Sequence, residues 1–228
     1  MPLIAFDLDG TLIDSRRDLA DSANELLESY GASPLPMDAI VAMVGEGARV
    51  LVRRALQASG LRAMPDGALE RFLEIYDRRL VVHTRPYPGV VDALRSVAPR
   101  AQLAVLTNKP QHHTNRLLDT LGLSPLFSSG ILGGDTPLGR KPDPAGLISL
   151  MAAAGTSPSD TLMVGDSGVD LETARRAGTR LCLALYGFAG LSEEDGFGAQ
   201  AFVAREPTDI GACLDAFLSA RAKASKPI

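Results

Sequence analysis

What constrains this chain most is a recurrence: short apolar runs ending in acids, amides or glycines alternate with stretches of helical period. The run at 3–6 ends at Asp7, the run at 103–106 at Thr107-Asn108-Lys109, and the run at 130–132 at Gly133-Gly134-Asp135. The run at 162–164 ends at Gly165-Asp166, and the run at 181–185 at Tyr186-Gly187. Short runs without polar alternation are strands buried on both faces, the condition of a parallel sheet covered by helices on each side. Helical spacing lies between them. Ala93, Leu94 and Val97 form one such pattern, and Leu117, Leu118 and Leu121 another, stopped at Gly122. Leu147, Ile148, Leu150 and Met151 stop near Gly155, and Leu171, Ala174 and Ala177 stop at Gly178. Glycine just past a helix takes the left-handed conformation that ends it. The fold class predicted is α/β, a doubly wound parallel sheet.

One stretch breaks the alternation. Between residues 16 and 83 no strand is readable, while Leu19, Ala23, Leu26, Leu27 and Tyr30, and later Leu69, Phe72, Leu73, Tyr76 and Leu80, follow a period of 3.6. Asp14 or Ser15 is placed to cap the first of these helices. Pro86-Tyr87-Pro88-Gly89 then resists helix and favours extended backbone. The reading is a catalytic core of residues 1–15 and 84–228 with an all-helical cap, residues 16–83, inserted after the first strand. A chain of 228 residues fits one core with a large insertion.

Composition narrows the partners. Net charge is −4 with no block of like charge, a poor basis for binding a phosphate backbone, so nucleic acid is not expected. Cys182 and Cys213 form no Cys-x-x-Cys pattern and read as core packing in a reducing compartment. No signal peptide and no run of ~20 apolar residues is visible, so the expectation is a cytoplasmic protein with no membrane partner, monomeric or homodimeric. Residues 222–228 are polar and basic and are expected to lack order.

In open parallel sheets, ligands bind beyond the carboxyl ends of the strands. The residues there are Asp7, Asp9, Thr107, Asn108, Asp135 and Asp166, with Lys141 from a loop. Asp7 and Asp9 project the same way from an extended segment, so their charges repel unless a cation lies between them. Asp7-Leu8-Asp9-Gly10-Thr11-Leu12 resembles the first motif of the haloacid dehalogenase-like phosphatases. Thr107-Asn108, Lys141 within Gly139-Arg140-Lys141-Pro142-Asp143-Pro144, and Gly165-Asp166-Ser167-Gly168-Val169-Asp170 resemble the second, third and fourth, in that order. A helical cap just after the first motif is the small-cap type, and the resemblance covers essentially the whole chain.

The resemblance implies a Rossmann-like core and a magnesium-dependent phosphatase that works through an aspartyl-phosphate. It gives Asp7 as nucleophile and Asp9 as the acid, then base, with a pKa raised by its neighbours. Mg2+ would be held by Asp7, the Asp9 carbonyl and Asp166, with Asp170 touching a metal-bound water. Thr107, Asn108 and Lys141 would bind the phosphoryl oxygens, with Gly10 and the backbone N–H groups of the 8–10 turn beside them.

The substrate expected is a small phosphorylated metabolite. Gly45-Glu46-Gly47-Ala48-Arg49 lies between two cap helices and could set Arg49 over it; this segment is similar to one of the phosphoglycolate phosphatase-like branch, in which Asn is frequent where Glu46 stands. That makes 2-phosphoglycolate the first candidate, ahead of sugar phosphates, nucleotides and pyrophosphate. His83, His112 and His113 have no acid at metal-ligand spacing; His112 and His113 are expected at the rim or in solvent, as are Arg16 and Arg17. Two alternatives share the core acids: a sugar phosphomutase of the beta-phosphoglucomutase type, and, more remotely, a phospho-acceptor signalling module, which needs only about half this length.

Overall fold

The computed structural model describes residues 1–191 and 201–224. Its main sheet has six parallel strands: β1 (Leu3–Phe6), β4 (Gln102–Leu106), β5 (Ile131–Leu132), β6 (Thr161–Gly165), β7 (Arg180–Ala184) and β8 (Phe202–Ala204). Their order is β5-β4-β1-β6-β7-β8, which puts β1 in the middle, with Phe6 level with Val105 on one side and Val164 on the other. Asp7 continues the ladder by donating its N–H to the Val164 carbonyl at 2.8 Å. The nucleophile candidate is thus fixed by main-chain bonds at the centre of the strand-end edge.

Successive residues of the strands feed two cores, as a period of two requires. Ile4, Phe6, Leu103, Val105, Leu162 and Val164 pack with α5 (Val90–Val97), α6 (Gln111–Thr120) and α9 (Ile210–Ala224). Leu3, Ala5, Ala104, Leu106 and Met163 pack on the other face with α7 (Ala145–Ala154) and α8 (Gly168–Ala177). This is a doubly wound α/β sheet. Gly122, Gly155 and Gly178 all have positive φ where the helices stop.

Two elements escaped the sequence reading. β8 is three residues long and α9 follows it after a single 3-10 turn; neither carries a run or a stop signal long enough to stand out. The expected disorder of residues 222–228 falls partly outside the described residues, since the helical backbone continues to Ala224 and residues 225–228 are not described.

Between the short antiparallel strands β2 (Ile13–Asp14) and β3 (Arg85–Pro86) lie α1 (Arg16–Ser29), α2 (Met37–Val41), α3 (Ala48–Ala58) and α4 (Ala68–Arg79), and no strand. Leu26, Leu27, Ile40, Leu56 and Phe72 are fully buried among these helices, and the Phe72 and Tyr76 rings stack at 5.9 Å. Asp18 ties the end of this insertion back to α1. Its carboxylate accepts the His83 N–H at 2.9 Å and both the N–H and the hydroxyl of Thr84 at 2.7 Å. No helix among the described residues is long and apolar enough to cross a membrane.

Candidate active site

The carboxyl ends of β1 and β6 bring three acids together. Asp7 follows β1, Asp166 follows β6, and Asp170 sits in the first turn of α8. All three are buried, with carboxylate oxygens within 4.8 Å of one another. Asp166 is held by the Phe188 N–H at 2.6 Å and the Thr11 hydroxyl at 3.4 Å. Asp170 forms a capping box with Ser167 and so also serves the helix N-terminus.

Among the described residues, Lys141 supplies the ammonium that reaches this trio. Its Nζ lies 2.8 Å from Asp7 Oδ1 and 2.6 Å from Asp170 Oδ1. The contact with Asp7 is an ion pair without hydrogen-bond geometry, so the buried Asp7 Oδ1 retains an unused acceptor direction. Burial is the main force pushing the Asp7 carboxyl up to about 6, against the pull of Lys141. Burial, then the charges of Asp170 and Asp7, hold Asp166 well above the usual carboxylate range. Lys141 is raised by Asp170 and Asp7, which outweigh its own burial.

Three buried carboxylates around one ammonium, with oxygens within 4.8 Å of one another, suit a hard divalent cation. Oxygen-only donors at this spacing are what Mg2+ takes. Backbone closeness preserves the arrangement: a Cβ on Gly10, whose φ is +83°, would overlap the Asp166 carboxylate, and a Cβ on Gly187 would meet the same side chain from the other side.

Asp9 faces different company. It accepts the Ser15 hydroxyl at 2.6 Å and the Lys109 ammonium at 2.9 Å to each oxygen. Sequence reasoning gave Ser15 as a helix cap; it occupies that position in α1 but makes no side-chain cap bond, because its hydroxyl goes to Asp9. Lys109 was missed altogether. Its one signal was its place directly after Thr107-Asn108 at a strand end. Its Nζ lies 4.6 Å from the centroid of Tyr76, a cap residue on α4.

Thr107 is buried, with Oγ1 accepting the Lys109 N–H at 3.3 Å. Asn108 gives both directions of its amide to carbonyls, Gly45 at 2.8 Å and Lys141 at 2.9 Å. In this arrangement its amide joins the 45–47 loop of the insertion to the site, and a phosphoryl oxygen would have to displace one of those carbonyls. The Gly10 N–H is likewise taken, by the Ile13 carbonyl at 3.0 Å.

Other expected residues lie apart. Arg49 is exposed in the first turn of α3 and does not line the cavity. Glu46 is exposed and pairs with Arg54 at 2.6 Å. Asp135 accepts the Gln111 N–H at 2.7 Å at the start of α6. His112 is exposed, but His113 is buried against Tyr76, with ring centroids 5.7 Å apart, which corrects the expectation that both lie at the rim or in solvent. The reason is the insertion, which folds α4 over the start of α6. Burial, then the Lys109 charge, holds His113 below its ordinary value and hence neutral at pH 7.

A cavity of about 50 Å³, open to solvent, lies between the strand ends and the insertion. Asp7, Asp9, Thr107, Asn108 and Lys109 form its floor; the insertion contributes Leu19, Val44, Leu51, Phe72, Leu73 and Tyr76. None of those insertion side chains is charged.

Residues 4–184 match the family of haloacid dehalogenase-like hydrolases. Phosphoglycolate phosphatase 1 of Pseudomonas aeruginosa is 42% identical over 192 residues, covering 82% of this chain and 70% of that protein. The phosphoglycolate phosphatase of Aquifex aeolicus is 33% identical over 220 residues, covering 94% of this chain and 97% of that one. A crystal structure described as a predicted phosphoglycolate phosphatase from Haemophilus somnus superimposes with a TM-score of 0.83 at 31% identity, covering 92% of this chain and 96% of that one. Because the match spans the sheet and the insertion alike, the chain belongs to the haloacid dehalogenase-like hydrolases, and among them it is a phosphoric monoester hydrolase similar to the phosphoglycolate phosphatases.

Proposed function

We propose that this chain hydrolyses 2-phosphoglycolate with Mg2+, through a phosphoryl group carried transiently on Asp7. The observation that carries the proposal is the setting of Asp7: centred on the sheet edge, open to the cavity, and close to both the Lys141 ammonium and the carboxylates of Asp166 and Asp170.

The Asp7 carboxylate attacks phosphorus, an Asp7–phosphorus bond forms, and the bond to the ester oxygen breaks. Asp9 gives that oxygen its proton, and glycolate leaves. Asp9, now a carboxylate, takes a proton from water as the water oxygen attacks phosphorus and the bond to Asp7 breaks, releasing phosphate. Lys141 stabilises charge at the phosphoryl group while separating Asp7 from Asp170. Thr107 borders the cavity where phosphoryl oxygens must lie. Asp7, the Asp9 carbonyl and Asp166 would hold Mg2+, with Asp170 behind them, and the ion would neutralise charge on the transferring group.

For Asp9 to deliver a proton, the Lys109 ammonium must share itself with another acceptor, since Asp9 serves as acceptor to both Ser15 and Lys109 here. The small cavity favours a small leaving group. Phosphate release from a panel of phosphoesters, with Mg2+ and with chelator, tests the proposal. Metal-dependent release that is greatest with 2-phosphoglycolate and lost in Asp7→Asn supports it; no release from any ester overturns it.

A further inference from the structure

Lys109 and Tyr76 stand out as a buried cation and a buried hydroxyl in the same cavity, and neither is assigned a contact with substrate in the chemistry at phosphorus. Lys109 is 6% exposed and Tyr76 2%. Apart from the neighbouring Lys109 ammonium, the buried Tyr76 hydroxyl meets no hydrogen-bond partner among the described residues, and it has no acceptor for its own proton, a costly condition for a buried donor unless a ligand satisfies it. The two come from opposite sides, Lys109 from the end of β4 and Tyr76 from α4 of the insertion, and the ammonium rests against the Tyr76 ring.

We infer that Lys109 and Tyr76 together form an anion subsite for the leaving group, and so select phosphoesters that carry a carboxylate beside the ester oxygen. The inference rests on the phosphatase reading above and specifies which side chains recognise the substrate.

Reach supports it. The ester oxygen protonated by Asp9 lies one hydrogen bond from it, about 2.7 Å. Lys109 Nζ lies 2.9 Å from the same carboxylate. A group one carbon removed from the ester oxygen therefore falls within range of Lys109, whereas a longer leaving group is carried past it.

Charge supports it too. Lys141 is committed to Asp7 and Asp170, and Lys109 is the cationic side chain among the residues lining the cavity. An ammonium has three donor directions, and a carboxylate arriving beside Asp9 can share them. On the side of the insertion, the side chains around Tyr76 are Leu19, Val44, Leu51, Phe72 and Leu73, which offer no hydrogen bond to the several hydroxyls of a sugar.

The test compares kcat/KM for 2-phosphoglycolate with that for 2-hydroxyethyl phosphate, in which a neutral hydroxymethyl group replaces the carboxylate. The wild-type enzyme, Lys109→Met, Lys109→Arg and Tyr76→Phe are each assayed with both esters. The ratio cancels any damage to Asp9 common to both. The expected result is a wild-type preference of at least roughly tenfold for the carboxylate. That preference should fall severalfold in Tyr76→Phe, nearly vanish in Lys109→Met, and largely survive in Lys109→Arg. Tyr76→Phe removes one oxygen, so it keeps the test decisive should Lys109→Met fail to fold. A wild-type enzyme indifferent to the carboxylate, or an unchanged ratio in Tyr76→Phe and Lys109→Met, overturns the subsite. A wild-type enzyme that hydrolyses neither these nor any other ester overturns the phosphatase reading instead.

Discussion

The Lys141 ammonium bridges Asp7, at 2.8 Å, and Asp170, at 2.6 Å, deep under the strand-end edge. Removing it leaves buried carboxylates facing one another, which is far more costly than losing a surface pair. Lys141→Met is expected to lower kcat by at least ~100-fold, with Lys141→Arg intermediate. The fold of Lys141→Met should be retained best in Mg2+ or at mildly acid pH. Steady-state assays and thermal melts in both conditions check this.

The raised acids make a pH prediction of definite sign. Asp7 is shifted from 3.8 to about 6, and Asp166 well upward, so the folded state binds more protons than the unfolded one in the window between those values. Stability of the metal-free protein should therefore rise as pH falls from 7 to about 5. The Asp7 shift contributes on the order of 1 kcal/mol over that range and approaches its full value of about 3 kcal/mol only below the unfolded pKa of 3.8. With Mg2+ the trend should flatten, because the ion favours the ionised acids. Melting temperatures against pH, in chelator and in Mg2+, test it; a metal-free protein that loses stability over this range contradicts the assigned burial.

Asp18 locks the return of the insertion to α1 through the N–H groups of His83 and Thr84 and the Thr84 hydroxyl. Asp18→Ala leaves those donors buried or half-buried without an acceptor. The expected loss is about 3 kcal/mol, or a fall in melting temperature of about 6–12 °C. Asp18→Asn, which keeps one acceptor oxygen, should lose less. Calorimetry of both variants gives the comparison.

Asp77 on α4 reaches across to Arg116 on α6, with His112 and His113 within 4.0 Å. All but His113 are substantially exposed, so the pair is weak and screened by salt. Arg116→Ala is expected to raise KM by about two- to fivefold through easier opening of the insertion. The effect should shrink at high salt, which a KM series against ionic strength reads directly.

The sheet was legible because its strands lack alternation and end abruptly at chemically distinctive residues, as at Asp7 and Asp166. The helices between residues 16 and 83 were legible because Leu26, Leu27 and Phe72 belong to patterns of helical spacing. Contacts between distant segments were not. Nothing local in Thr107-Asn108-Lys109 says that Lys109 will reach Asp9, since that contact spans a hundred positions and depends on β4 lying beside β1. Tyr76 looked like one more apolar-face residue, and its hydroxyl gains meaning only when α4 folds over the strand ends. His113 was misjudged for the same reason, because the surface covering it comes from the insertion.

The central claim is that Asp7 carries the phosphoryl group. Rapid acid quench of enzyme, Mg2+ and 2-phosphoglycolate, followed by mass spectrometry of the peptide containing Asp7, tests it most directly. The account predicts a phosphorylated Asp7 that accumulates further in Asp9→Asn, where water is activated poorly, and is absent in Asp7→Asn. Release of phosphate at an undiminished rate by Asp7→Asn, or a phosphoryl group found on a different residue, would contradict it.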